Sequence, residues 1–171
     1  GFPAHVKLNV PEGKNIDTLI VNVAECEPYV TSDHREALEN GKNVLDGIYK
    51  VKDILDVHRV LIAVEDNKPD VIEKLREIAD NPTMDPQDEV RVLPLKSRYP
   101  QGAEKVLVQA CTGRRVPPGQ LPADVGCLVM NIASISFLGA LAAQEVDYQN
   151  AYIRWDGETT DAVSYTHLRA H

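Results

Sequence analysis

Three short polar segments of this chain hold the residue types that bind flat or anionic ligands. In Asn22-Val23-Ala24-Glu25-Cys26-Glu27-Pro28 an amide and two carboxylates close the apolar run Thr18-Leu19-Ile20-Val21, and the proline stops a helix from forming. In Tyr99-Pro100-Gln101-Gly102-Ala103-Glu104 an aromatic face precedes a glycine at the start of a helical stretch. Gly102 there frees backbone N–H groups at a helix N-terminus to meet an anion or the polar edge of a ring. The third segment is Asn131, directly behind Cys127-Leu128-Val129-Met130. No Ser/His/Asp or Cys/His set has a persuasive spacing. Cys26, Cys111 and Cys127 stand far apart with no CxxC pair, so zinc, thioredoxin-type redox and cysteine-ligated clusters find no support. The chemistry on offer is binding and positioning rather than covalent catalysis.

These segments act together only if the fold gathers them, and the pattern of elements says that it does. Asp17 to Val23 reads as a strand. Thr31-Ser32-Asp33 offers N-cap oxygens for a helical stretch from His34 towards Glu39, interrupted by Asn40-Gly41. From Asn43 to Leu55 apolar residues recur at helical spacing. Arg59 to Val64 is a second strand, and Pro69 fits the first position of a helix running to Ala79. Glu89 to Leu95 is a third strand and Ala103 to Cys111 a short helix. The proline-rich loop from Gly113 to Gly126 is long enough to suggest function or an interface. Cys127 to Met130 is a fourth strand and Ile132 to Ala143 an apolar helix.

Alternating strands and helices predict an α/β, Rossmann-like three-layer domain. Its sheet has four strands, mainly parallel, with right-handed crossovers and both faces covered. Parallel strands end on one edge, where open α/β sheets bind ligands. That edge collects Asn22, Glu25 and Glu27, then Glu65-Asp66-Asn67, then Tyr99, Gly102 and Glu104, then Asn131. Each piece also has a plain structural reading. Glu65-Asp66-Asn67 can be a loop leading into a helix, Gly102 simple turn chemistry, and Asn131 the cap of the helix behind it. Their convergence on one edge points to a ligand-binding crevice.

Size and charge narrow the class. The 171 residues suit one domain, and a net charge of −8, from 26 acidic against 18 basic residues, argues against a dedicated nucleic-acid binder. No apolar run approaches the roughly 20 residues that span a bilayer. The cysteine usage suits a reducing cytoplasm.

The ordered motifs carry a resemblance. Gly1-Phe2-Pro3 with Lys7, Asn22-x-x-Glu25-x-Glu27-Pro28, Tyr99 to Lys105, Leu121-Pro122-Ala123-Asp124-Val125-Gly126 and Asn131 resemble the C subunit of the Rnf electron-transport complex. That protein is similar to the NADH-binding flavoprotein subunit of respiratory complex I. A cobalamin reductase of propanediol utilisation shares the domain and is the competing match. The resemblance implies an NADH-oxidising, FMN-binding domain in residues 1–146, lacking most of the family's glycine-rich phosphate loop. It matches Gly1 to that loop and Lys7 to a lysine near the flavin phosphate. Asn22 and Asn131 match asparagines at the flavin, and Glu25 belongs to the same acidic motif. Glu27 and Glu104 match acidic residues near the nucleotide. Phe2 and Tyr99 match aromatics beside the nicotinamide and flavin, and Gly102 opens the helix of the third segment. Lys7 on its own would read as a solvated lysine. Ala24 departs from complex I, which has an aspartate there.

In such a domain the cofactor makes and breaks the bonds, and the protein stacks rings, holds phosphates and tunes potential. An acidic pair accepts hydrogen bonds from ribose hydroxyls and repels a 2′-phosphate, favouring NADH over NADPH. The family implies a place at the inner face of the cell membrane, among other subunits, with ferredoxin reached indirectly. It also implies [4Fe-4S] clusters in a C-terminal region that this chain lacks. A non-catalytic assembly module is the reading from another class. Residues 147–171 look like a truncated, partly foreign tail, in which His167 and His171 are not expected to ligate a metal. Cut short at both ends, the fragment is expected to fold, to hold FMN poorly and to be inactive alone.

Overall fold

The computed structural model describes residues 4–11, 13–27, 29–80 and 87–143. The expected boundary at residue 146, the tail beyond it, Gly1 and Phe2 lie outside the described residues. Four strands, β1 (Thr18–Val23), β2 (Arg59–Glu65), β3 (Glu89–Leu95) and β4 (Cys127–Asn131), form one sheet in the order β3-β2-β1-β4. Every pairing is parallel, as the sequence predicts. The helices are α1 (Ala4–Leu8), α2 (Ser32–Glu39), α3 (Gly41–Leu55), α4 (Pro69–Ala79), α5 (Glu104–Thr112) and α6 (Ile132–Ala143). A 3₁₀ turn spans Pro122–Val125. Five-residue α1 has no counterpart in the sequence reading, because so short a piece shows no amphipathic period. Among the described residues no helix is long and apolar enough to cross a membrane.

The strand order dictates the layers. From β1 to β2 to β3 the chain steps one way across the sheet, and right-handed crossovers put α2, α3 and α4 on one face. From β3 to β4 it steps back past β1, so the same handedness puts α5 on the other face. Strand side chains alternate accordingly. Leu19, Val21, Val23, Val60, Ile62, Val64, Leu128 and Met130 join the core under α2, α3, α4 and α6. Ile20, Leu61, Ala63, Cys127 and Val129 pack with Leu107 and Val108 of α5. Both faces are covered, but unequally: four helices on one, a single nine-residue helix on the other. Edge strand β3 is correspondingly half-exposed along its length, and Pro94 removes one backbone donor from it.

The most extensive contact between elements is that of α3 with α6. It is a backbone contact. A Cβ on Gly47 would lie 1.9 Å from the carbonyl oxygen of Ile135, and one on Gly139 would lie 1.9 Å from that of Asn43. Glycine is required at both positions, and through this crossing α6 is held against the helix layer. The proline-rich loop that looked functional serves the opposite edge of the sheet from the polar strand ends. The Gly126 carbonyl accepts the Asp17 and Thr18 N–H groups at 2.9 and 3.2 Å, and Arg114 Nη1 donates to Asp17 Oδ1 at 2.8 Å and to the Val125 carbonyl at 2.9 Å. These bonds fasten the amino ends of β1 and β4.

Gly47→Ala and Gly139→Ala should each cost about 3 kcal/mol, the upper range for overpacking, and lower the melting temperature followed by circular dichroism. Gly41→Ala is the control. A Cβ there meets only the flexible ends of Lys74 and Ile78, at 3.3 and 3.4 Å, so the melt should hold or rise slightly.

Candidate functional site

The site forms where the strand order reverses. β1 and β4 are neighbours, and Asn22 and Asn131 face each other in register at their carboxyl ends. The reversal of strand order matches the switch points of doubly wound sheets, but the helices behind both strands, α2 and α6, lie on the same face. Both asparagines are anchored in the same manner. Asn22 Oδ1 accepts the Ala24 N–H at 3.0 Å and its Nδ2 donates to the Gly102 carbonyl at 3.1 Å. Asn131 Oδ1 accepts the Ala133 N–H at 2.9 Å, capping α6, while its Nδ2 donates to Asp33 Oδ2 at 2.7 Å. Each amide therefore ties its strand exit to a neighbouring loop or helix.

Gly102 has a different role from the one its place at a helix start suggested. A Cβ there would lie 2.5 Å from the Ala24 carbonyl oxygen and 3.7 Å from Cys26 Sγ. The glycine permits the exits of β1 and β3 to touch. α5 still begins on Ala103 without a side-chain cap, which leaves its first turn open to an anion. Glu104, in that first turn, pairs with Lys7 of α1, and Lys7 Nζ also donates to the Val129 carbonyl of β4 at 2.9 Å. Lys7 thus bridges the edge strand and the head of α5. Tyr99 is 77% exposed on the rim, and Glu27 is exposed at the exit of β1.

Glu25 sits deeper, only 5% exposed. Its Oε1 accepts the Ser32 hydroxyl at 2.8 Å and the Asp33 N–H at 3.1 Å. The sequence expectation that Thr31, Ser32 or Asp33 caps α2 is corrected here, since Thr31 makes no side-chain cap bond and a carboxylate from the preceding loop supplies the acceptor. Lys68 lies between Glu25 Oε2, at 3.5 Å, and Glu65 Oε2, at 3.4 Å. Ser97 Oγ donates to Glu65 Oε1 at 3.2 Å, joining the exits of β2 and β3. Burial pushes the Glu25 carboxyl up. The Asp33 N–H, the Ser32 hydroxyl, the Lys68 ammonium and the His34 N–H outweigh it and hold the carboxyl below its ordinary value of 4.5.

The structure thus joins Asn22 to Gly102, Lys7 to Glu104 and Asn131 to Asp33 at one edge, with Tyr99 and Glu27 exposed beside them. It turns Glu25 inward. Gly1 and Phe2, expected at the phosphate and the rings, lie outside the described residues, as does Pro28. Sequence reasoning missed Asp33, Lys68 and Ser97, whose side chains complete this edge. Lys68 directly precedes the helix-starting Pro69 and stands two positions after the acidic pair Glu65-Asp66, a faint signal for a cation shared between carboxylates.

The chain matches the family described as the Nuo51 FMN-binding domain over residues 1–139. It is 45% identical over 133 residues to the C subunit of the proton-translocating ferredoxin:NAD(+) oxidoreductase complex of Clostridium ljungdahlii, covering 78% of this chain and 28% of that protein. It is 38% identical over 157 residues to the C subunit of the Na(+)-translocating complex of Acetobacterium woodii, covering 92% of this chain and 34% of that one. The chain therefore spans about a third or less of these relatives. Among solved structures, an NAD(+)-reducing [NiFe]-hydrogenase in the H2-reduced state shares the fold, with TM-score 0.68 and 19% identity over 84% of this chain and 28% of that one.

Glu25→Gln should cost about 1.5–3 kcal/mol at neutral pH, the worth of charge-assisted hydrogen bonds. Because the folded-state carboxyl is depressed, its contribution is fully present above 4.5 and fades as pH falls through the lower folded value. Denaturant titrations at neutral and acid pH should therefore show wild type and variant converging as the pH is lowered. A gap that stays constant with pH would contradict this capping role.

Proposed function

The chain belongs to the Nuo51 FMN-binding domain family, and from that premise we propose that it is the NADH-oxidising FMN domain of a membrane-associated, ion-translocating ferredoxin:NAD(+) oxidoreductase. The observation that carries the reading is the register pair Asn22–Asn131 where the strand order reverses, with Asn22 bonded to Gly102 just ahead of α5 and Lys7 bonded to β4 and to Glu104 in the first turn of α5. The donor set suits a flavin mononucleotide. Lys7 and the first turn of α5 suit its phosphate, and Tyr99 offers a face to its ring system. Asn22 and Asn131 hold the strand exits on either side. When bound, FMN would accept a hydride from NADH and pass electrons singly onward.

The protein's own part is positional. Glu27 and Glu104 accept hydrogen bonds from ribose hydroxyls, and their negative charge disfavours a 2′-phosphate. Glu25 acts through Ser32 and Asp33, fixing the start of α2 and with it the Asp33 carboxylate that Asn131 grips. The bond between Lys7 and Glu104 makes them alternatives to their ligands. A phosphate that takes Lys7 releases Glu104 to the nucleotide. Onward electron transfer to [4Fe-4S] clusters, docking with other subunits, an indirect link to ferredoxin and a place at the inner membrane face belong to the same proposal. The relatives' names, which give a subunit of an ion-translocating ferredoxin:NAD(+) oxidoreductase complex, support the part about other subunits and ferredoxin.

Flavin binding and anaerobic bleaching by NADH, measured on a full-length protein that carries this domain, test the reading together. Lys7→Met should weaken FMN binding about ten-fold or more, the loss of one charge-assisted contact. Glu104→Gln should leave FMN binding unchanged or slightly tighter, because it frees Lys7, while NADH bleaches the flavin more slowly. A wild-type chain that binds FMN but is not reduced by NADH would leave a cofactor-holding assembly module. A chain that binds no FMN even at high concentration would end the proposal.

A further inference from the structure

Tyr29 carries two features that the fold itself does not use. It lies in the turn that the Val30 N–H closes on the Glu27 carbonyl at 3.4 Å, and its φ is 65°. Bulky side chains avoid that conformation, whereas glycine adopts it freely. Its ring is also fully exposed, so packing among the described residues does not offset the strained backbone. Such an outlier points to a use beyond the chain. Tyr29 and Tyr99 are the most exposed large apolar side chains of the described residues, and they stand on the exits of β1 and β3. Those exits touch, because Gly102 lies against Ala24 and Cys26.

Resting on the function proposed above, we propose that Tyr29 is a stacking platform for a ring of the pyridine dinucleotide. The surroundings favour a small planar ligand bearing hydroxyls over an apolar protein surface. Exposed Glu27 comes two residues before the ring, and Glu104 opens the helix behind the neighbouring exit. Carboxylates so placed suit ribose and break up any continuous apolar patch. An aromatic side chain stacks on a base from either face without needing a hydrogen bond to it. The turn therefore presents the ring outward at the cost of local strain.

The test uses a full-length protein that carries this domain, saturated with FMN and titrated with NAD(+), an oxidised pair that does not turn over. Tyr29→Gly should melt at a higher temperature than wild type, because the strain is relieved, and should bind NAD(+) about ten-fold more weakly. Tyr29→Phe should bind within two-fold or so of wild type, since the ring remains. ADP-ribose and nicotinamide mononucleotide, titrated in parallel, identify the stacked ring as adenine or nicotinamide by which fragment loses affinity. Unchanged NAD(+) affinity in Tyr29→Gly overturns the inference while leaving the proposed function intact. A lowered melting temperature in that variant overturns it by making the ring structural. Failure of wild type to bind NAD(+) overturns both.

Discussion

Handedness is the constraint from which the rest of this domain follows. A strand–helix–strand connection in a parallel sheet turns one way, so reversing the direction of travel across the sheet moves the connecting helix to the other face. The chain reverses once, when it returns from β3 to lie beside β1 as β4. That return puts α5 alone beneath the sheet and brings the ends of β1 and β4 side by side. The segments behind those ends both enter the larger helix layer, β1 through α2 and β4 through α6, while the Gly102 segment ahead of α5 reaches β1 from β3, and the polar ligand edge lies where they meet.

Keeping that edge in shape requires bonds between segments distant in sequence. Asn22 reaches the Gly102 carbonyl, Asn131 reaches Asp33, and Lys7 reaches both β4 and α5. Beneath them the α3–α6 crossing brings backbone against backbone at Gly47 and Gly139. The amino edge has a fastening of its own in Arg114 and Asp17. The polar groups at the ligand edge therefore do two jobs, since most of them already bond protein atoms.

The layered architecture was legible in the sequence because strand and helix periods differ sharply and the apolar runs were uninterrupted. In strands β1, β2 and β4 the apolar residues are buried and alternate cleanly between the two cores. Helix starts marked by proline, such as Pro69, were equally plain. The meaning of single residues was harder to extract, because it depends on what approaches from elsewhere. Gly102 looked like a residue chosen for its backbone freedom and proves to be one chosen for lack of a side chain. Glu25 looked like a ligand contact and is an inward-facing cap for a helix that begins seven positions later. Asp33, Lys68 and Ser97 gave little local sign because their partners lie on other strand exits. Tyr29 followed a proline in an acidic segment, and only its backbone angle and exposure set it apart.

The inward turn of Glu25 also bears on the order in which the domain assembles. Helix α2 has only eight residues, too few to persist in water on its own, and its first turn is satisfied by a carboxylate outside the helix. It therefore cannot be finished before the segment behind β1 has folded back over it. In the folded protein the dependence runs in reverse. If the segment from Ala24 to Glu27 swings outward, α2 loses its cap, and the Asp33 backbone that positions the carboxylate held by Asn131 loses its anchor. Loosening this side of the ligand edge would thus break two bonds between distant segments together, as a unit smaller than the domain.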